Sequence, residues 1–161
     1  MTPLAAGDRP TALNLNDRLP QPIRKVSTQI VNNSTTLVND TELAWALSAN
    51  AEYCLDLYII NTSTATADFK FKFTLPAGTT CVWSAIYYDP GTSAVTLGSG
   101  FTGATTAVNN GLAGPVLTAV HMSIVTSATT GSITLQWAQN VAVVTDTSVA
   151  AGSYGTLQRI S

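Results

Sequence analysis

Phe69-Lys70-Phe71-Lys72-Phe73-Thr74-Leu75 decides the fold. Phenylalanine or leucine stands at every second position, with lysine or threonine between. In an extended strand successive side chains point to opposite faces, so the run has one apolar face and one wet face. The same period recurs outward from it. Leu43, Trp45 and Leu47 alternate with Ala44 and Ala46. Tyr53, Leu55, Leu57 and Ile59 alternate with Cys54, Asp56 and Tyr58. Val120, Met122 and Ile124 flank His121 and Ser123, and Ile133, Leu135 and Trp137 flank Thr134 and Gln136. Such runs predict half-buried strands, and no segment offers an amphipathic helix of comparable length.

Turn-forming residues punctuate the runs: Asn32-Asn33-Ser34, Asn39-Asp40, Pro76-Ala77-Gly78, Asp89-Pro90-Gly91, Asn109-Asn110-Gly111, Thr130-Gly131 and Ala151-Gly152. The expectation is an all-β, antiparallel sandwich of jelly-roll type, with eight to ten short strands over residues 25–161. The Ala/Thr/Gly stretch from Gly91 to Gly114 reads either as a long loop or as small strands packed tightly against neighbours.

Residues 1–24 differ. They hold four of the seven prolines (Pro3, Pro10, Pro20, Pro22) and no apolar period. Proline fixes φ, removes a donor and biases its predecessor toward extended geometry, so this part reads as an extended arm. Up to Lys25 there are four basic residues (Arg9, Arg18, Arg24, Lys25) against Asp8 and Asp17, whereas the remainder carries three against seven carboxylates. The stretch reads either as a disordered terminus, as many domains have, or as an arm that orders on a partner surface. The apolar anchors Leu4, Leu13, Leu15, Leu19 and Ile23 favour the arm, docking through Arg9, Leu13, Leu15, Arg18, Leu19, Arg24 and Lys25.

Composition narrows the function. The 161 residues are 45% hydrophobic and 10% charged, with a net charge of −2. So few charges, beside abundant Thr and Ser, are unusual for a cytosolic enzyme and suit a surface that packs in an assembly. The charge gives no case for nucleic-acid binding, no run reaches membrane-span length, and the first residues lack the apolar core of a secretion signal. His121 stands alone, without a G-x-S-x-G elbow to supply a nucleophile. Glu42, Glu52, Asp56 and Asp68 show no spacing beyond that of solvated strand charges. Cys54 and Cys81 read as free thiols rather than a disulfide or metal pair. No Walker loop or G-x-G-x-x-G is present, and no cofactor is expected. The reading is non-enzymatic.

An ordered set of phrases carries a resemblance: I-V-N-N-S-T-T-L-V-N-D-T-E-L from Ile30, A-N-A-E-Y from Ala49, D-F-K-F-K-F-T-L-P-A-G from Asp68, G-S-I-T-L-Q-W-A-Q-N from Gly131 and A-G-S-Y from Ala151. It resembles small β-sandwich virion proteins of tailed bacteriophages, particularly those of actinobacteria, over about Lys25 to Ser161. The resemblance implies a capsid decoration (cement) protein. Such a protein would be made in the host cytoplasm and carried on the capsid surface. Its partners would be the major capsid protein and further copies of itself, with a trimer expected by analogy. The alternative is a fibre or tail head module that recognises a host glycan or surface protein, with Trp45, Trp83, Tyr87, Tyr88 and Trp137 as candidate stacking residues. A hydrolytic tail enzyme ranks behind both.

Overall fold

The computed structural model describes residues 18–89, 93–108 and 114–161. Their strands are β1 (Gln21–Arg24), β2 (Gln29–Val31), β3 (Val38–Leu47), β4 (Glu52–Thr62), β5 (Phe69–Thr74), β6 (Thr80–Asp89), β7 (Ala94–Phe101), β8 (Thr106–Val108), β9 (Pro115–Val125), β10 (Gly131–Gln139), β11 (Thr147–Val149) and β12 (Tyr154–Arg159). The expected eight to ten become twelve because β1, β2, β8 and β11 are only three or four residues long.

All the pairings are antiparallel. One sheet runs β1-β12-β4-β9-β6-β7, with β11 beside β4 and β2 beside β11; the second runs β3-β10-β5-β8. The alternating residues build the space between them. Leu43, Trp45, Leu55, Leu57, Ile59, Phe69, Phe71, Val120, Ile124, Ile133, Leu135 and Trp137 are all buried in one core. The rings of Phe71 and Trp83 pack across the two sheets with centroids 5.2 Å apart. The fold is therefore the β-sandwich that the period-two runs predict.

Two local expectations change. Residues 21–24 are not part of a free arm: they form β1, an edge strand on β12, from Gln21 opposite Leu157 to Arg24 opposite Tyr154. Pro22 lacks an N–H and is therefore tolerated where only one neighbour has to be satisfied. The indole Nε1 of Trp45 donates to the Gln21 carbonyl at 3.1 Å, tying this edge to the second sheet. Asn39-Asp40 does not separate strands either. It lies within β3, where the pairing with β10 jumps from Ala44 opposite Thr134 to Asn39 opposite Gln136, a bulge rather than a turn.

The Gly91–Gly114 stretch holds β7 and β8, the small, tightly packed strands of the second alternative. Gly100 shows why small residues are needed. A Cβ there would sit 2.3 Å from the Trp83 ring, so the indole occupies the space a side chain would take. The Pro76-Ala77-Gly78 and Ala151-Gly152 turns form as expected, with Gly78 at φ 75° and Gly152 at φ 96°. Pro90-Gly91 and Asn109-Asn110-Gly111 lie outside the described residues.

Candidate functional site

Of the expected docking residues, Arg9, Leu13 and Leu15 lie outside the described residues. Arg18 and Leu19 are exposed just before β1, and Arg24 is exposed on it. Lys25 is a correction. It is fully buried, and its Nζ lies 3.0 Å from Asp40 Oδ1 and 3.7 Å from Glu42 Oε1 while also donating to Thr41 Oγ1 at 3.3 Å. A buried ammonium persists only where it is paired, and the bulge in β3 provides the partner. Asp40 Oδ1 also accepts the N–H groups of Glu42 and Leu43, at 3.0 and 2.9 Å, which fixes the carboxylate under the ammonium.

Glu42 completes the arrangement by accepting the N–H groups of Val26 at 2.7 Å and Ser27 at 3.0 Å. The Val26 N–H is the main cause of a carboxyl held below its ordinary value, helped by the Ser27 N–H and the Lys25 charge against partial desolvation. Lys25 is also bonded through its backbone, to Ser153 O and from Gly152 N, at 2.7 and 2.9 Å. Residues 21–27 are thus stitched to both sheets. Lys25 serves this attachment and presents no charge to a partner.

The chemistry-bearing side chains converge in one place. Strand register sets Asp56 of β4 opposite His121 of β9, and Ser84 of β6 opposite His121 on its other side. His121 Nδ1 meets Asp56 Oδ1 at 2.6 Å, with both side chains about half exposed (50% and 52%). Sequence reading missed this pair because 65 residues separate its members and only the register joins them. A Ser-His-Asp row invites comparison with a hydrolytic triad. Catalysis by such a row needs a hydroxyl bonded to the imidazole and free N–H donors for an oxyanion. Here the bond seen on the imidazole is that of Nδ1 to Asp56 Oδ1, and β9 is paired on both sides, with β4 and β6. The pair holds a surface imidazole in one orientation.

The cysteines face apart. Cys54 pairs with Ser123 on the outer face, whereas Cys81 points inward beside Ile124; both are free thiols. Burial pushes the Cys81 thiol up, partly offset by the Thr102 hydroxyl. Among the described residues no three His, Cys, Asp or Glu side chains gather as a metal site.

Of the five candidate stacking aromatics, Trp45, Trp83, Tyr87 and Trp137 are buried and only Tyr88 is exposed. Another aromatic pair was not singled out in the sequence. Tyr58 and Tyr154 stack at 4.8 Å on the outer face, beside the half-exposed edge of Tyr154.

The largest unexpected surface is the outer face of β6 and β7. Register places Val82 opposite Phe101, Ile86 opposite Leu97 and Tyr88 opposite Val95, and all six side chains are exposed to solvent. Leu97 is 75% exposed and Phe101 70%. Ser84 and Ser99 form the one polar pair between these apolar pairs.

No protein-family model and no curated protein matches the chain. Among solved structures, the chain is similar to the VP2 subviral particle of infectious bursal disease virus, at 12% identity and a TM-score of 0.23, covering 88% of this chain and 40% of that one. The Gx strain of the same virus gives 13% identity and a TM-score of 0.22, with the same coverage. The chain thus spans about 40% of the length of these structures, and a likeness this slight assigns no residue a role.

Proposed function

We propose that this chain is a non-enzymatic structural protein of a virion, a bacteriophage capsid decoration protein that binds the outer capsid surface and stabilises it. The sequence resemblance supports the class, and the low charge of a Thr- and Ser-rich sandwich suits close packing on a shell. One structural observation carries the docking part of the reading. Arg18, Leu19 and Arg24 are exposed directly beside a segment pinned by Lys25, Asp40 and Glu42. Basic and apolar contacts leading out of a rigid anchor can transmit a grip on the capsid to the whole sandwich. The partner is the major capsid protein, met at an acidic surface by the basic N-terminal region.

The test is co-sedimentation with undecorated particles. Arg18→Glu/Arg24→Glu should weaken binding by at least about tenfold, and binding of the unaltered chain should weaken as salt rises, since exposed charge contacts are screened. Equal occupancy of both proteins at all salt concentrations overturns the docking assignment. The Tyr58–Tyr154 stack favours a second reading, a fibre or tail head module with an aromatic platform for a host glycan. Glycan binding abolished by Tyr154→Ala would support that reading instead.

A further inference from the structure

We propose that the outer face of β6 and β7 is the surface through which two copies of this chain pack face to face across a two-fold axis. The argument begins with what strands normally expose. A sheet face in water carries polar residues, and the outer face of the second sheet does so, with Lys70, Lys72, Thr74, Thr134 and Gln136. The outward positions of β6 and β7 read Val82, Ser84, Ile86, Tyr88 and Val95, Leu97, Ser99, Phe101, without one charge. Leu117, one step beyond the Tyr87–Thr118 pair on β9, extends the same face and is also exposed.

Size comes next. With aromatic side chains offering about 150–250 Å² and aliphatic ones somewhat less, the fractional exposures of these apolar residues leave on the order of 700 Å² of apolar surface. Patches on ordinary monomers run to about 300–600 Å². A standard stable interface covers about 800 Å² on each partner. With Leu117 of β9 included, the face falls within the roughly 600–1,000 Å² per partner that standard interfaces span, toward the lower end of that range.

Charge and shape choose the occupant. The β6–β7 strip carries no charge and meets its own copy with no like-charge penalty, whereas a surface built for a charged partner would carry the complementary sign. The ionisable groups beside it, His121 of β9 and Asp56 of β4, pair with each other at 2.6 Å. Being a sheet face, it can stack on another sheet face at about 10 Å, as the inner faces of a sandwich do. The Ser84–Ser99 pair sets a low row between two apolar rows, into which large side chains of the second copy can settle. Identical patches in mutual contact make an isologous, two-fold interface. This differs from the trimer that the phage resemblance implies.

Sedimentation equilibrium of the purified chain decides it, independently of any virion. The expected species is a dimer, of twice the 16.8 kDa chain mass. Leu97→Asp should raise the dissociation constant by at least about tenfold, because a carboxylate would be desolvated at the centre of the contact. Lys72→Glu, on the other outer face, should leave association unchanged. Circular dichroism of each variant verifies the fold, and Leu97→Ser serves in its place if Leu97→Asp unfolds. A monomer at about 100 µM, a trimer, or a dimer indifferent to Leu97 overturns the proposal.

Discussion

The two ends of the eight-stranded sheet solve opposite problems. At the β1 end, charge points inward: Lys25 and Asp40 are sealed between the sheets, and the edge strand is short, with Pro22 and Arg24 on it. At the β6–β7 end, apolar side chains point outward, and the edge strand Ala94–Phe101 contains neither charge nor proline. Protected edges are usually short, charged or proline-bearing. By that standard the β1 end is closed and the β7 end is built for contact. Residue type alone assigns neither end correctly, since the buried group is a lysine and the exposed ones include leucine and phenylalanine.

The largest test of this contrast is Lys25→Ala. It leaves Asp40 buried without its counter-charge, beside an Oδ2 that already has no partner. The expected loss is about 3–5 kcal/mol of stability, measured by guanidinium unfolding. A loss below about 1 kcal/mol would mean that the pair is hydrated and the β1 end is not sealed. Truncation gives the next largest effect. Removal of residues 1–17 keeps β1, and the truncated chain should unfold near the intact one. Removal of residues 1–24 strips Ile23 from the core margin and orphans the Trp45 indole N–H. That should cost about 2–4 kcal/mol, from burial of one large aliphatic side chain and one hydrogen bond.

The same contrast explains what could be read from sequence. The runs 43–47, 69–75, 120–124 and 133–137 within or beside β3, β5, β9 and β10 are legible because apolar inner residues alternate with small or polar outer ones, and 53–59 of β4 does the same apart from Tyr58. β6 is apolar on both faces and β7 is dominated by small residues, so neither shows a clean period and the exposed face stayed hidden. Lys25 reads as an exposed docking charge for a related reason. A lysine near prolines looks solvated until the bulge at Asp40 is known, and only the register of β3 on β10 reveals that bulge. The His121–Asp56 pair required the register of β4 on β9.

Gly100→Ala probes the inner side of the β7 end. A methyl group at 2.3 Å from the Trp83 ring must displace the indole, and overpacking of this kind should cost about 1–3 kcal/mol. A neutral outcome in thermal unfolding would mean that the small residues of β7 are not dictated by packing. Glu42→Gln returns to the β1 end and is read through pH. The folded carboxyl lies below its ordinary value of 4.5. Its contribution to stability is therefore complete above that value and is lost as pH falls through it toward the lower folded value. The stability gap between the unaltered chain and Glu42→Gln should be full at neutral pH and close in acid. A gap that persists unchanged at pH 3 would remove the carboxylate from the account.

The smallest effect on the isolated chain is expected from Leu97→Thr, which makes it the sharpest test of what the outer face is for. Leu97 is mostly in water, and threonine suits a strand, so unfolding at micromolar concentration should shift by no more than about 0.5 kcal/mol. At that dilution the two proteins should be indistinguishable, in contrast to the large loss at Lys25. Raising the concentration separates them. A folded chain that binds its own copy gains stability by mass action, so the melting temperature of the unaltered protein should climb with concentration. That of Leu97→Thr should climb less. If instead Leu97→Thr destabilises the dilute monomer by more than about 1.5 kcal/mol, Leu97 belongs to the fold rather than to an interface, and the two ends of the sheet are less different than their surfaces suggest.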